Sequence, residues 1–455
     1  MDGFSRGRPG VTGKADAMRG WIEPIIGRLM DHVLTFPEDA GGSPPVPPPL
    51  PGRRYLLYAH VPFCERLCPY CSFHRVQFRS DKAARYFRAL RDEIRHYRES
   101  GYTFSEVYVG GGTPTVCVEE LAATLALIRG NWPVREISVE TNPNHLTQPV
   151  IDTLLAAGVR RLSVGVQSFD DGLLKAMDRY AAYGSGAAIA ARLQDLRGAF
   201  GTLNADMIFN LPGQSRASLE RDLDILREID IDQVSFYPLM VADSSRRRMA
   251  RTMGQVDYRN EETGYRLIRQ RLGPTHPPST VWTFSRGDRM IDEYIVGRDE
   301  YVGVGSGAFS YLRGSLYATS FSLNQYERLI DRQGFGVTRQ RTYSRRWQLR
   351  YHLLMALFGL RLHRDRDLRQ FGAGCFRALW KELTALRLLG AIRRTPDGYA
   401  LTDRGMYLWL VMMRRFFTTV NNFRDQMRAH IREERIPEAG CPLAMRQETA
   451  RPRLR

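Results

Sequence analysis

Three cysteines within one short segment are the residues whose types and spacing most directly suggest chemistry. Cys64, Cys68 and Cys71 lie in "YAHVPFCERLCPYCSFH", residues 58–74, directly after an apolar run typical of a strand. Three thiolates are too few for a closed four-ligand zinc site, and no fourth cysteine follows at zinc-finger spacing. Iron–sulfur clusters are also held by thiolates, and a cubane bound by three of them keeps one iron open. Zinc bound with a distant histidine remains the alternative on spacing alone.

Further side chains with possible ligand roles follow later strand-like runs. Gly110, Gly111, Gly112 and Thr113 end one run, and Glu140 ends the next. Glycines let the backbone approach a ligand, although the same four residues are also typical of a tight turn. They do not form a phosphate loop, because the lysine of that motif is absent. A carboxylate at the end of an apolar strand needs a cation, which a ligand's ammonium or a structural salt bridge could supply.

A parallel sheet would position these residues together. From Tyr55 onward, short β-rich runs alternate with stretches of helical periodicity, which predicts βα units. The runs cover residues 56–61, 106–109, 136–140, 161–167, 204–210 and 233–237. Six such units predict an α/β fold, an open partial (β/α)6 barrel. The motif residues fall at the carboxyl ends of these runs, where the loops of a parallel barrel converge.

The remaining segments predict the domain organisation. Residues 1–54 read as an N-terminal helix and a proline-rich linker, "GGSPPVPPPLPGRR". The barrel is predicted for residues 55–340, a helical module resembling a winged helix for 341–431, and a mobile tail for 432–455. A winged-helix pattern identifies no function by itself, because such modules also serve as lids and docking pieces.

The last long helix of this module has an apolar face. Met406, Leu410, Met413, Phe417 and Val420 recur at helical spacing along it. We expect this face to pack against the barrel. Contact with a hydrophobic substrate or a membrane is the alternative.

The composition of the 455 residues limits the function classes. Six cysteines do not form a disulfide framework, so Cys117, Cys375 and Cys441 are assigned to packing. With no apolar stretch of ~18 residues and no signal-peptide core, we expect a cytoplasmic protein. The formal net charge of +17 comes from dispersed arginine, so we expect no nucleic-acid partner. An anionic substrate or peripheral membrane contact also fits this charge.

Five motifs in order resemble those of one known family. "YAHVPFCERLCPYC", with Tyr70 before its last cysteine, is followed by "VYVGGGTPT", "ISVETNP", "RLSVGVQSF" and "NADMIFNLPGQ". Together they resemble the radical S-adenosylmethionine (SAM) superfamily, in the branch of oxygen-independent coproporphyrinogen III oxidase, its related haem chaperones and its radical methyltransferases. The resemblance extends over about residues 55–311. It favours an iron–sulfur cluster strongly over zinc.

The resemblance implies the cofactors and their ligands. Cys64, Cys68 and Cys71 would hold a [4Fe-4S] cluster whose open iron binds SAM, and an electron would release a 5′-deoxyadenosyl radical. One or two SAM molecules and a low-potential donor such as flavodoxin or ferredoxin would take part. The SAM contacts implied are Tyr58, His60, Tyr70, Gly111, Gly112, Thr113, Glu140, Gln167, Arg179 and Asp206.

The resemblance also assigns some of these contacts. Glu140 would meet the ammonium of SAM and Arg179 its carboxylate, while Gln167 and Asp206 would bind the ribose or amino-acid part. His60 also reads as an ordinary core histidine. No catalytic residue is assigned.

Two departures from the family pattern direct the choice of reaction. Phe73 stands where the coproporphyrinogen oxidases carry a further cysteine, and residues 291–311 lack the histidine and tryptophan of the haem-chaperone signature. The leading prediction is therefore C-methylation of a small, planar, hydrophobic aromatic substrate. A menaquinone ring is the first expectation and a tetrapyrrole the second. Coproporphyrinogen III oxidation and haem carriage are the alternatives.

Overall fold

An eleven-stranded mixed sheet is the centre of the computed structural model, which describes residues 36, 43–287, 300–429 and 431. The predicted N-terminal helix, the tail from residue 432 and the first part of the 291–311 segment lie outside these residues. In the sheet, the strands follow the order β13-β12-β11-β10-β1-β4-β5-β6-β7-β8-β9. The sixteen strands described are β1 Tyr55–Val61, β2 Phe63–Cys64, β3 Val76–Gln77, β4 Phe104–Gly111, β5 Glu136–Thr141, β6 Arg161–Gln167, β7 Thr202–Phe209, β8 Gln233–Pro238, β9 Thr283–Ser285, β10 Tyr301–Val304, β11 Phe309–Leu312, β12 Ser315–Thr319, β13 Val337–Thr342, β14 Arg361–His363, β15 Ile392–Thr395 and β16 Gly398–Leu401.

Six neighbouring strands run parallel and correspond to the six predicted runs. They are β1 and β4 to β8, with pairs such as Leu57 opposite Val107 and Asp206 opposite Ser235. The prediction of a partial barrel of βα units is confirmed. Because these strands are covered on both faces, most of their residues are buried, which fits near-continuous apolar runs.

The sheet continues beyond the six predicted strands at both edges. Strand β9 pairs antiparallel with β8, whereas β10 pairs parallel with β1 and leads into the antiparallel strands β11 to β13. These added strands have three to six residues. Segments this short give weak alternation signals, so the sequence analysis identified no strand of the barrel after residue 237.

Helices return the chain between the parallel strands. Helix α1 shows the pattern, because its apolar residues recur at i, i+3 and i+4 and are buried, from Ala83 to Tyr97. The helices are α1 Ser80–Glu99, α2 Val118–Asn131, α3 Gln148–Ala156, α4 Asp171–Ala176, α5 Tyr180–Tyr183, α6 Gly186–Asp195, α7 Arg216–Ile229, α8 Asp243–Thr252, α9 Glu261–Leu272, α10 Leu323–Gln333, α11 Arg345–Phe358, α12 Arg364–Phe371, α13 Cys375–Ala378, α14 Trp380–Leu388 and α15 Asp403–Ala429. No helix among them is long and apolar enough to cross a membrane.

The C-terminal segment has the predicted order of helices and a hairpin. Helices α11 to α14 surround a three-stranded sheet of β14, β16 and β15, and the 27-residue α15 follows. Helix α15 is held by the Trp409 indole, which donates to the Leu354 carbonyl over 3.0 Å, and by a buried pair of Arg414 and Glu261 at 2.9 Å. Of its predicted apolar face, Met406, Leu410, Met413 and Val420 are buried. The exact domain boundaries stay a prediction.

Candidate functional site

The loop between β1 and α1 carries the three cysteines. Strands β2 and β3 close it by pairing Cys64 with Gln77. Arg75 also holds the loop, because its Nη2 donates to the carbonyls of Cys68 and Cys71 over 2.6 and 2.7 Å. The loop is therefore fixed by backbone pairing and by a guanidinium, and all three cysteines line one cavity.

Two donors approach the thiols. Thr113 Oγ1 donates to the Cys64 sulfur over 3.7 Å, and Arg179 Nη1 donates to the Cys68 sulfur over 3.8 Å. Burial raises the pKa of the Cys64 thiol to about 12, so this thiol gives up its proton only when a metal competes for the sulfur. Three thiols, two of which accept a hydrogen bond, fit an iron–sulfur cluster. In the described ranges, no three His, Cys, Asp or Glu side chains converge on a single-ion site.

The three glycines at the end of β4, Gly110 to Gly112, make room for protein groups. A Cβ on Gly110 would lie 2.6 Å from Glu140 Oε1, and one on Gly112 would lie 2.5 Å from the Phe63 carbonyl. Gly111, at φ +115°, faces the His60 ring, 2.5 Å from where a Cβ would be. The expectation that these glycines leave space for a ligand is thus only part of their role, because two of them also line the cavity.

Glu140 faces the cavity from the end of β5. It accepts hydrogen bonds from the Tyr108 hydroxyl over 2.7 Å and from the Gly111 amide over 2.9 Å. Tyr108 was not predicted, since nothing in its strand distinguishes it from a core tyrosine. Both bonds fix a carboxylate whose charge is directed at the cavity, where a ligand cation can reach it.

Arg179 lies between the cysteine loop and the strand ends. Besides Cys68, its guanidinium donates to Tyr70 over 3.4 Å, to Asn142 Oδ1 over 3.0 Å and to the Gly165 carbonyl. It is 3% exposed, and its Nε has no hydrogen-bond partner among the described residues. Its predicted contact with the SAM carboxylate stays a prediction.

Gln167 and Asp206 lie on neighbouring strands at the same cavity. Gln167 ends β6 as predicted, whereas Asp206 lies within β7, which continues to Phe209. Gln167 has φ 75°, after a register shift between β6 and β7. Asp206 accepts from Ser163 Oγ over 2.9 Å and from Asn204 Nδ2 over 2.8 Å. Both therefore present polar groups to the cavity.

Asn142 is a site residue that the sequence analysis missed. Its Nδ2 donates to Thr113 Oγ1 over 2.7 Å, while its Oδ1 accepts from Arg179. It connects two groups that each contact a cysteine sulfur. The signal was present, because Asn142 lies inside the motif "ISVETNP".

His60 does not line the cavity, in contrast to its predicted contact with SAM. Its ring is fully buried, with Nδ1 2.8 Å from the Tyr58 hydroxyl and Nε2 2.9 Å from the His74 carbonyl. Burial lowers the pKa of His60 to about 3, so the ring is neutral. A neutral ring that accepts from Tyr58 and donates to a carbonyl is a satisfied core histidine, the reading left open above.

One cavity of about 300 Å³ collects all the other predicted site residues. Tyr58, Cys64, Cys68, Tyr70, Cys71, Gly111, Gly112, Thr113, Glu140, Gln167, Arg179 and Asp206 line it. A second wall of the cavity is largely apolar, and of it the sequence analysis offered Phe417 as a possible contact with a hydrophobic substrate. That wall includes Ile208, Tyr237, Leu239, Met240, Trp282, Phe417, Asn421 and Arg424.

Comparisons with known proteins agree with this geometry. The family model described as "Radical SAM superfamily" matches residues 58–252. The haem chaperone HemW of Bacillus subtilis is 26% identical over 372 residues, which are 77% of this chain and 96% of HemW. The oxygen-independent coproporphyrinogen III oxidase of Salmonella typhimurium is 27% identical over 390 residues, 79% of this chain and 84% of that enzyme.

A solved structure shares the fold. Coproporphyrinogen III oxidase (HemN) from Escherichia coli superposes with a TM-score of 0.67 and 24% identity, and covers 80% of this chain and 90% of its own. None of these three relatives is named as a methyltransferase, so the preference for menaquinone methylation has no support from them. Proteins of this superfamily use a [4Fe-4S] cluster and SAM, which the three thiols and the polar rim fit. Residues 58–252 thus match the radical SAM superfamily, and most of the chain is similar to the haem chaperone HemW and to coproporphyrinogen III oxidase.

Proposed function

We propose that this chain is a radical SAM enzyme that abstracts hydrogen from a tetrapyrrole held between the cysteine loop and α15. The supporting observation is the single cavity that joins the three thiols to a wall of large apolar side chains. The Bacillus subtilis and Salmonella typhimurium relatives are named for tetrapyrroles, haem in the first and coproporphyrinogen III in the second.

At the cofactor end of the cavity, the cysteines and the charged side chains have distinct proposed roles. Cys64, Cys68 and Cys71 would hold the cluster, which supplies the electron that splits SAM into methionine and a 5′-deoxyadenosyl radical. Glu140 is a hydrogen-bonded carboxylate suited to the ammonium of SAM, and Asp206 can accept from ribose hydroxyls. The pairing of Arg179 with the SAM carboxylate is part of this proposal.

The substrate end suits a flat conjugated ring. Trp282 is 1% exposed and is held by aromatic neighbours, with ring centroids 5.4 Å from Tyr237 and 5.6 Å from Phe417. Rigid aromatic walls stack on flat rings and exclude the water that would quench a radical. Arg424 lies on the same wall, where its guanidinium can meet a carboxylate side chain of a tetrapyrrole.

Phe73 is the position that separates this chain from the coproporphyrinogen oxidases. Its ring lies 4.8 Å from the Arg424 guanidinium and lines the cavity. A cysteine that the oxidases carry is thus replaced by an apolar surface under a cation. We therefore propose hydrogen abstraction as the reaction class. The bond change that comes after the abstraction is to be identified from the masses of the products.

Methyl transfer to a flat aromatic ring is the second candidate. The wall of Tyr237, Trp282 and Phe417 would accept a quinone ring as readily as a pyrrole ring. Methyl transfer differs in its products, since S-adenosylhomocysteine forms together with 5′-deoxyadenosine.

The test uses protein reconstituted with iron and sulfide without oxygen. SAM and dithionite are added with coproporphyrinogen III, haem or a menaquinone, and 5′-deoxyadenosine is measured with the product masses. We expect a tetrapyrrole to raise 5′-deoxyadenosine above the level without substrate, and the C64A/C68A/C71A variant to form none. The proposal fails if no tetrapyrrole raises it. A haem Soret band with no added 5′-deoxyadenosine would indicate haem carriage instead.

A further inference from the structure

We propose that the exposed face of α8, beside the cysteine loop, is the docking site of a small acidic electron-carrier protein. This inference rests on the proposed function, because cleavage of SAM requires one electron from outside the chain. The donor loses that electron and the cluster gains it, with no group transferred to the protein.

Helix α8 separates its charged face from its anchor. Arg246, Arg247, Arg248 and Arg251 are exposed, while Met249 is buried. The helix has one acidic residue, Asp243, which pairs with Arg246 over 3.0 Å. Among the described residues, neither Arg247 nor Arg251 has a carboxylate partner. The face is therefore net positive.

A hydrogen bond places this face against the cluster loop. Arg248 Nη2 donates to the Leu67 carbonyl over 3.4 Å, and Leu67 lies between Cys64 and Cys68 in the chain. Arg66, next to it, is half exposed and pairs with the exposed Asp178 over 3.5 Å. The positive face of α8 thus lies directly beside the loop that would hold the cluster.

The helix is also fixed at its first residue, Asp243. The Asp243 amide donates to Asn422 Oδ1 over 2.9 Å, and Asn422 Nδ2 donates back to the Asp243 carboxylate over 2.8 Å. Asn422 belongs to α15, whose Phe417 and Arg424 line the cavity. A preformed face costs less ordering on docking than a mobile one.

Charge selects the class of partner. Exposed arginines next to an electron-accepting site favour an acidic protein, because complementary charge speeds association and orients the encounter. Flavodoxins and ferredoxins are acidic carriers of this kind. The whole chain is also positive, at +17, so the experiment needs a control for non-local attraction.

The experiment measures binding of a purified bacterial flavodoxin to the reconstituted protein at increasing salt. The docking variant is R246E/R247E/R251E. The control, R387E/R393E/R394E, makes the same charge change at exposed arginines of α14 and β15. We expect the docking variant to bind about tenfold more weakly and to lose most of its salt dependence, and the control to stay near wild type.

The rate of cluster reduction distinguishes the docking proposal from the proposed function. We expect flavodoxin to reduce the cluster of the docking variant at least about tenfold more slowly, whereas dithionite reduces all three proteins alike. Equal loss of flavodoxin binding in both variants, or loss in neither, overturns the docking site. So does a result in which the docking variant loses only binding to anionic lipid vesicles or duplex DNA. Failure of wild type to cleave SAM with dithionite instead overturns the proposed function.

Discussion

The charge of Arg179 beside Cys68 should set how easily a bound cluster is reduced. Its Nη1 lies 3.8 Å from the Cys68 sulfur, and the side chain is buried. A reduced cluster has one more negative charge than an oxidised one, so a nearby cation favours the reduced state. We therefore expect Arg179→Gln to lower the reduction potential.

The size of this shift follows from the geometry. A unit charge 3.8 Å from a full negative charge gains about 4 kcal/mol at an effective dielectric constant of ~20. The added electron is shared over the cluster, so roughly a quarter of this, about 1 kcal/mol, acts through Cys68. For one electron that corresponds to roughly 50 mV.

The assay is a redox titration of the reconstituted cluster followed by electron paramagnetic resonance. Arg179→Lys is the matched control, because it keeps the charge but cannot span Tyr70, Asn142 and Gly165 at once. We expect the Lys variant to stay near the wild-type potential and the Gln variant to shift down. Equal potentials for both variants would refute the electrostatic role and leave Arg179 as a structural residue only.

Three further changes have distinct readouts. Gly110→Ala places a Cβ 2.6 Å from Glu140 Oε1, so we expect weaker SAM binding by calorimetry with iron content unchanged, and unaltered affinity would count against Glu140 as a ligand. Phe417→Ala removes part of the aromatic wall and should cost about 3 kcal/mol or less of unfolding free energy, while raising the KM for substrate; an unchanged KM would exclude this wall from the substrate site. Burial raises the pKa of Asp222 to about 7, against ~3.9 unfolded. Between these values the folded state keeps a proton that the unfolded state has released, so stability falls as pH rises, by up to about 4 kcal/mol. Asp222→Asn should lack this loss, so its stability relative to wild type should rise from pH 4 to 7 in denaturant titrations; a constant difference would contradict the buried proton.

The cofactor side of the cavity was predictable because its residues lie in short motifs at strand ends. Neighbouring parallel strands bring the residues of their carboxyl-terminal halves to one side of the sheet. That is why Glu140, Gln167 and Asp206 line one cavity although they are far apart in sequence. His60 is the exception, because alternation fixed its face of the strand but not what fills the space in front of it. Gly111 allows the ring to lie behind the cavity wall.

The substrate side was not predictable in the same way, because it is built by residues distant in sequence with no motif of their own. Trp282 precedes a three-residue strand, and its approach to Phe417 depends on how α15 packs. An apolar helical face has the same periodicity whether it meets core or ligand. The sequence therefore left packing and substrate contact as alternatives for α15.

One feature of α15 could have separated those alternatives. Phe417, Asn421 and Arg424 follow the spacing i, i+4 and i+7, so the apolar face continues into an amide and a guanidinium. Both polar residues are buried, at 5% and 7% exposure, and both line the cavity. Burying an arginine is costly unless it meets hydrogen-bond acceptors or an anion. Polar residues that interrupt an otherwise apolar helical face therefore indicate a helix that borders a ligand cavity, and here they line the cavity that also contains the three cysteines.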